Sequence, residues 1–485
     1  MTSLRNLGRK PSRNNLAGDF PVRLRDHAHR RRGKQKVLLF CAACLFVTCR
    51  IESSTADEAT RPNLVLILAD DLGYGDVSYQ GAPDLRTPFL DAFAKQSVRF
   101  RQMRANCTVC SPTRAAILSG IYADRAGVPG VIRTQPAGSF GFLNAGVSTL
   151  ADRLKGVGYH TAAVGKWHLG LESPNLPNDR GFDHFHGFLG DMMDDYYTHL
   201  RGGRNFMRLG RTVIEPEGHA TELFTQWSID YLKKQSQSSD EPFFLYLAYN
   251  APHFPIQPPA EWLAKAKKRF PALDAKRIAN IALIEHLDHE LGRLFRSLDE
   301  MALSENTVVA FTSDNGGSLP HAQRNLPWRD GKQSHFDGGL KVPFLIRTPF
   351  SSPTVSDYAG LTFDLHATYL ELAGAEPPAD TDAVSLVPIL NGQAIETPER
   401  ELYFVRREGN ARYVGKAYHA LIKGKWKLAH HDPFSPLELY DLETDPEETT
   451  NVIAQQRKIA RQMKLSLLRH VQRGGRVPWQ PPVTQ

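Results

Sequence analysis

At 485 residues the chain exceeds what one hydrophobic core supports, so a large domain with a smaller one beside it is the expected arrangement. Its formal charge of +7 points to an acidic partner only until the charge is located. Residues 1–36 hold 11 Lys/Arg against Asp19 and Asp26, a local +9 that leaves −2 for residues 37–485. The body of the chain therefore gives no reason to expect nucleic acid as a partner.

The basic leader runs into the apolar stretch Val37 to Val47 and then Ser53-Ser54-Thr55-Ala56, small residues suited to cleavage. About eleven apolar residues are too few for a membrane-spanning helix, which needs roughly 20, and suit the core of a signal peptide. Residues 1–56 are thus expected to be a signal peptide or a retained anchor, with export to the periplasm or the exterior. Cys49 lacks the residues that precede a lipid-attachment cysteine. With Cys41, Cys44 and Cys49 in the leader, only Cys107 and Cys110 remain.

From Pro62 onward, short aliphatic runs alternate with helical stretches, the pattern of an α/β sheet covered on both faces. Four of these strands end in polar residues. Asn63 to Leu68 runs into Asp70-Asp71, His160 to Val164 into Lys166 and His168, Phe243 to Leu247 into Asn250 and His253, and Thr307 to Phe311 into Asp314-Asn315. Ligand sites in open α/β sheets gather beyond the carboxyl ends of strands, so these residues are candidates for one shared site. Asp70, Asp71, Asp314 and Asn315 offer only oxygen, the preference of a hard cation such as Ca2+ or Mg2+ rather than zinc. As turn residues after strands, either pair alone is unremarkable in composition. Lys166 and His168 are two apart and point to one side of an extended segment.

Cys110-Ser111-Pro112-Thr113-Arg114 reads as a reactive sulfur entering a helix, with Ser111 as N-cap and Pro112 at the first helical position. Such an entrance favours anions and lowers a thiol pKa, and Arg114 adds a guanidinium fork able to grip a tetrahedral oxyanion. The Cys-x-x-Cys spacing also admits a redox pair, but no second Cys-x-x-Cys completes a zinc site and Cys107 reads better as a packing residue. Asn106-Cys107-Thr108 is a formal glycosylation acceptor, expected to be unused beside the nucleophile.

These residues resemble a known family. Cys110 to Arg114 is similar to the sulfatase signature Cys-x-Pro-x-Arg, in which the cysteine is oxidised after synthesis to formylglycine. The match extends through Ala115 to Gly120, with Ser119 where the family more often has Thr. A second family signature resembles Gly158 to His168, and the likeness continues to the segment Leu439 to Glu447. It implies an α/β alkaline-phosphatase-like sandwich with a large mixed central sheet over residues 57–395. It also implies one calcium held by Asp70, Asp71, Asp314 and Asn315, with the formylglycine at Cys110 completing the shell and a formylglycine-generating enzyme as maturation partner. Lys166 would hold the sulfate, His168 would take a proton from the formylglycine hydrate, and His253 would be general acid to the leaving alcohol. Gly331 to Gly339 looks like the family loop whose lysine, here Lys332, contacts sulfate or the leaving oxygen; Asp337 replaces the commoner Glu.

Between these motifs, His184 and His186 read as part of a packed loop, and His286 and His289 lie in the helical pattern Arg277 to Arg296 facing neighbouring helices. The loops Val131 to Gly146, Gly190 to Arg211 and Gln257 to Pro271 are expected to line the pocket, with Asp194, Asp195, Tyr196 and Tyr197 as candidates for sugar hydroxyls. Around residue 395 the texture changes to closely spaced strands (Glu401 to Val405, Tyr418 to Ile422, Lys425 to Leu428, Leu437 to Tyr440) and an amphipathic helix from Val452 to Val471. Residues 396–485 are therefore expected to form a small α+β domain. The functional expectation is a hydrolase of sulfate esters, its substrate a sulfated small molecule or saccharide. A phosphonate or phosphate ester hydrolase with the same nucleophile, and a non-catalytic binder of sulfated glycans, are the alternatives.

Overall fold

The computed structural model describes residues 61–135, 139, 141–238, 241–396, 400–408 and 417–477, so the leader and its export reading lie outside it. The strands in chain order are β1 (Asn63–Ala69), β2 (Val98–Phe100), β3 (His160–Lys166), β4 (His184–Phe188), β5 (Leu200–Arg201), β6 (Arg204–Asn205), β7 (Met207–Leu209), β8 (Thr212–Val213), β9 (Phe243–Ala248), β10 (Thr307–Ser313), β11 (Phe344–Arg347) and β12 (Thr354–Ser356). Ten of them form one sheet in the order β12-β2-β11-β10-β1-β9-β3-β4-β7-β8, while β5 and β6 pair as a separate hairpin. Strands β10, β1, β9, β3 and β4 run parallel and β11 antiparallel, which makes the sheet mixed.

The central strands are apolar on both faces because both faces are covered. Leu64 through Leu68 are each 0% exposed, and burial of such side chains is worth roughly 1.5–3 kcal/mol apiece. The covering helices are α1 (Pro88–Lys95), α2 (Cys110–Ser119), α3 (Leu150–Gly156), α4 (Ala220–Ser238), α5 (Ala260–Arg269), α6 (Ala275–Glu300), α7 (Asp337–Leu340), α8 (Asp364–Leu372) and α9 (Val387–Leu390). Helix α6 is capped by Asp274, whose carboxylate accepts from Lys276 N and Arg277 N. His286 reaches Glu222 of α4 at 3.2 Å, and His289 packs on Phe89 of α1 and Trp262 of α5, so both face neighbouring helices. The stretch Gln257 to Pro271, expected at the pocket, is instead mostly α5. Its Trp262 ring lies tilted against His286 of α6, and no residue of the stretch lines the cleft described below.

Beyond residue 400, β13 (Glu401–Arg407), β14 (Ala417–Lys423), β15 (Trp426–His430) and β16 (Glu438–Asp441) form an antiparallel meander, followed by α10 (Arg457–Gly474). The helix starts five residues later than its periodicity suggests because Val452 N donates to Leu439 O at 2.8 Å and prolongs the edge of β16. Leu402, Phe404 and Leu421 of this sheet share a core with Met463 and Leu467 of α10 and with Ala116, Tyr122 and Phe363. Ala116 lies on α2, so the small sheet packs directly on the helix that begins at Cys110.

At this seam Asp124 accepts from the Tyr403 hydroxyl at 3.2 Å, while its other carboxylate oxygen is buried without a partner. Burial pushes Asp124 up to about 6, against the pull of Arg407. A carboxyl whose folded pKa is raised binds its proton more tightly in the folded state. Its destabilising contribution is therefore absent below the unfolded pKa of about 3.9 and complete above about 6. Asp124→Asn keeps an acceptor without the charge. Thermal unfolding should show the variant more stable than wild type by about 1–3 kcal/mol at pH 8, with the gap closing by about pH 4.

Candidate active site

Strands β10, β1, β9 and β3 are consecutive in the sheet, so the four polar strand ends seen in the sequence meet at one edge. Asp314 Oδ1 accepts from Asp71 N at 3.2 Å, and Asn315 Nδ2 donates to Asp71 Oδ1 at 2.8 Å. Asp70, Asp71, Asp314 and Asn315 are all at most 1% exposed. The turn bearing Asp314 and Asn315 closes tightly on the lysine loop: a Cβ at Gly316 would lie 1.9 Å from Gly338 O, so only glycine allows this approach.

The donor set fits a hard cation. Asn315 spends its amide N–H groups on Asp71 and on Gly316 O, and its Oδ1 is buried without any partner. Potential ligand atoms of Asp70, Asp71, Cys110 and His253 lie within 4.8 Å of one another. Three carboxylates face the three cations Arg114, Lys166 and Lys332, which hold Asp70 far below the ordinary carboxylate range despite the opposing effect of burial. Oxygen predominates among these donors, which suits Ca2+ or Mg2+ better than zinc.

Cys110 is the first residue of α2. The N-cap is extended Val109, not Ser111; the Ser111 hydroxyl is two residues too far in and instead accepts from Ile132 N at 3.1 Å. Cys110 Sγ lies 3.3 Å from Asp70 Oδ1 and 3.7 Å from Lys332 Nζ. The expected low thiol pKa is overturned: burial, and then the charge of Asp70, push the Cys110 thiol well up. These two effects outweigh the helix terminus and both lysines. Cys107 does not pair with it. Both cysteines are free, and Cys107 Sγ donates to Val405 O at 3.2 Å in a small apolar cluster with Val109 and Val131. Asn106 is 2% exposed and accepts from Thr362 and Phe363, which leaves no room for a glycan.

Arg114 does not reach open space. Its Nε and Nη2 donate to Asp314 Oδ2 at 3.0 and 2.7 Å, its Nη1 donates to Lys166 O at 3.0 Å, and its Nη2 lies 3.8 Å from Asp70 Oδ2, so the guanidinium braces three strand ends rather than gripping an anion directly. Lys166 likewise stands behind Asp70 at 2.5 Å and is 1% exposed. His168 follows with φ +61°, which breaks the extended alternation and turns its ring into the cleft while Lys166 stays behind. His168 Nε2 donates to Ile132 O at 2.7 Å and Nδ1 is buried without a partner. Burial, Lys166 and Arg114 push the His168 pKa well down and hold the ring neutral, which leaves Nδ1 unprotonated.

Of Arg114, Lys166 and Lys332, it is Lys332 that lines the cleft, 2.7 Å from Asp71 Oδ1. His253 donates from Nδ1 to Phe254 O at 2.6 Å and presents Nε2 to Asp71 Oδ2 at 3.6 Å. Burial and Lys332 push its pKa down, against Asp71 and Asp70. Asp337, the departure from the commoner Glu, is fully used as an anchor. It pairs with Arg104 at 2.5 Å and Lys427 at 2.9 Å, and its N–H donates to Glu448 at 2.6 Å. A shorter acid thus ties the Lys332 loop to the small sheet.

The cleft over Cys110 has a volume of about 250 Å³ and also includes Arg133, Asp191, Arg201, Phe254, His321 and Arg406. None of these was singled out in the sequence. Phe254 is 44% exposed and stacks on His321 at 4.6 Å, forming an aromatic wall at the mouth. The loops from Val131 and from Gly190 do line the cleft. Three of the proposed sugar ligands do not: Asp195 closes a turn on Tyr197 N and Thr198 N, Tyr196 is buried with its hydroxyl on Asn250 O and His253 O, and Tyr197 packs against His219. Asp194 binds Arg201 at 2.7 Å beside the cleft. His184 and His186 lie on β4, not on a loop, and stack on Tyr231 and Trp227 of α4.

A family model described as Sulfatase matches residues 62–375, and one described as N-sulphoglucosamine sulphohydrolase, C-terminal, matches residues 327–473. N-acetylgalactosamine-6-sulfatase of Sus scrofa is 34% identical over 363 residues, covering 70% of this chain and 67% of that protein. Arylsulfatase A of Homo sapiens is 31% identical over 448 residues, covering 81% and 84%. Among solved structures, Ps i-CgsB in complex with k-i-k-neocarrahexaose superposes with a TM-score of 0.76 at 27% identity, covering 84% of this chain and 93% of that one.

Proposed function

The chain belongs to the sulfatase family and hydrolyses sulfate esters; from that premise we propose that its nucleophile is a formylglycine made from Cys110, that one Ca2+ assists it, and that the ester is carried by a saccharide. The observation that carries the reading is the placement of Cys110. It opens α2 beside Asp70 and Lys332, at the carboxyl ends of four adjacent parallel strands. At that place hydrated formylglycine offers one hydroxyl to attack sulfur and a second whose collapse releases sulfate and restores the aldehyde. The position of Sγ stands in for that attacking oxygen.

Asp70, Asp71, Asp314 and Asn315 would hold the cation, which when bound supplies charge stabilisation to the nucleophile and the sulfuryl oxygens. Mg2+ is the alternative ion. His168, neutral and with Nδ1 free, takes the proton from the hydrate. Lys332 stays charged and meets the sulfate from the open side, while Arg114 and Lys166 fix the carboxylates from behind. His253 gives a proton to the leaving oxygen; its lowered pKa makes its protonated form a stronger acid and moves its working range to the acid side of neutrality. A saccharide is favoured by the relatives, whose names include a sugar sulfatase and a complex with a neocarrahexaose, and by the exposed Phe254 wall. The basic, apolar leader supports export, and maturation calls for a formylglycine-generating enzyme as partner.

Charge separates this reading from a phosphate ester hydrolase. A sulfate monoester carries one negative charge, whereas a phosphate monoester approaches two, since its second pKa is about 6. The second charge of a phosphate is commonly met by a second metal ion about 4 Å from the first, and one group of clustered metal-ligand side chains is found among the described residues. Catalytic efficiency toward an aryl sulfate should exceed that toward the matching aryl phosphate by at least about tenfold, roughly 1.4 kcal/mol. Faster turnover of the phosphate or phosphonate ester would overturn the sulfatase chemistry proposed for this site.

A further inference from the structure

A second cavity of about 310 Å³ adjoins the cleft over Cys110 and shares Arg133, Asp191 and Arg201 with it; Thr134, Gln135, Gly202 and Arg204 complete its lining. At about 250 Å³ the first cleft is smaller than most sites that enclose a whole drug-sized ligand, roughly 300–1,000 Å³. On the sulfatase reading it has room for the sulfated end of a substrate, and the neighbouring cavity offers space for the next unit.

The hairpin of β5 and β6 builds that cavity's far wall. Gly202 and Gly203 have φ of +57° and +73°, the double positive that a two-residue type I′ turn requires. The register sets Arg201 directly opposite Arg204, so both guanidinium stems leave the same face of the hairpin. Like charges facing one another across two strands cost stability. Arg201 is held in place by Asp191 at 3.0 Å and Asp194 at 2.7 Å, and Asp194 also accepts from Gly202 N at 2.6 Å. Those carboxylates are therefore engaged and are not free to receive sugar hydroxyls. Arg133 also lines the cavity and pairs with Glu408 at 3.0 Å. The Arg204 guanidinium, exposed, has no partner among the described residues. Of the three arginines that line this cavity, Arg204 alone has no carboxylate beside it among the described residues.

We infer that this cavity is a second anion subsite, and that the preferred substrate carries an acidic group, a sulfate ester or a carboxylate, on the unit next to the ester being cleaved. Arg204 receives that group with Arg201 oriented beside it, since a guanidinium fork matches either acid in bidentate fashion. The inference rests on the sulfatase reading and specifies its substrate as at least doubly anionic.

The test is competition against aryl sulfate turnover. Disaccharides ending in a sulfated galactosamine, glucosamine or galactose are each offered with the adjoining ring bearing a sulfate, a carboxylate or only hydroxyls. For wild type, at least one acidic-neighbour compound should inhibit about tenfold more strongly than its neutral counterpart, and the stronger of the sulfate and carboxylate arms identifies the acid. In Arg204→Ala the ratio of the two inhibition constants should fall toward one, and Arg204→Lys should keep part of it; because the ratio is taken within one variant, any general loss of activity cancels. Equal inhibition across the wild-type series, or a ratio that survives Arg204→Ala, overturns the subsite. A failure of the sulfatase reading shows separately, as an aryl sulfate that is not hydrolysed at all.

Discussion

Cys110→Ala should lower the efficiency of aryl sulfate hydrolysis by about 10⁴-fold or more, the scale on which loss of a covalent nucleophile is felt. No neighbouring hydroxyl is placed to substitute. Ser111 Oγ is held by Ile132 N, and Thr113 Oγ1 bonds Cys107 through both its N–H and its carbonyl. The fold should survive, because deleting one buried sulfur costs on the order of 1 kcal/mol, a shift of a few degrees in Tm. Cys107→Ala makes the contrast: its sulfur touches only Val405 O and apolar neighbours, so most of the activity should remain. Equal loss from the two substitutions would show that the cysteines act as a pair, against the free thiols found here.

Metal removal should have the next largest effect. Dialysis against a chelator is expected to reduce efficiency by about 10³-fold, roughly 4 kcal/mol of transition-state stabilisation, and added Ca2+ or Mg2+ should restore it. A second readout does not depend on catalysis. Ca2+ at about 100 times its Kd should stabilise the protein by about 2.7 kcal/mol in thermal unfolding. Asn315→Ala removes the orphaned Oδ1 and should shift that stabilisation to higher Ca2+ concentration. Asp314→Ala should do the same, with an added cost from leaving buried Arg114 with Asp70, 3.8 Å away, as its remaining carboxylate. Restoration by Zn2+ alone, without response to Ca2+ or Mg2+, would contradict the oxygen-ligand assignment.

The parts of this site that were legible in the sequence are those fixed by strand periodicity. Apolar runs ending in Asp70-Asp71, Lys166, His253 and Asp314-Asn315 announce parallel strands, and parallel strands place their ends together whatever their order in the chain. The sequence could not show that β10, β1, β9 and β3 are consecutive, which is what turns four ends into one site. Local rules misplaced the helix start, because Ser111 serves a tertiary bond to Ile132 rather than its own helix. They misjudged the Cys110 thiol, because complete burial beside Asp70 outweighs a helix terminus. They also assigned Arg114 to an anion that Asp314 already replaces. Arg133, Asp191, Arg201 and His321 carry no motif at all; they reach the cleft from loops, where contacts are set by tertiary packing. The Gly202-Gly203 turn was the one local signal available for the arginine hairpin.

Whether Cys110 is converted decides the account most directly. Trypsin releases Ala105–Arg114, a peptide that holds both remaining cysteines, so fragmentation must assign the change to one of them. In an active preparation position 110 should carry an aldehyde, one sulfur and two hydrogens exchanged for one oxygen. Position 107 should remain an unmodified thiol, and the converted fraction should rise in proportion to specific activity. A fully active preparation whose Cys110 is still a thiol would contradict the proposed nucleophile.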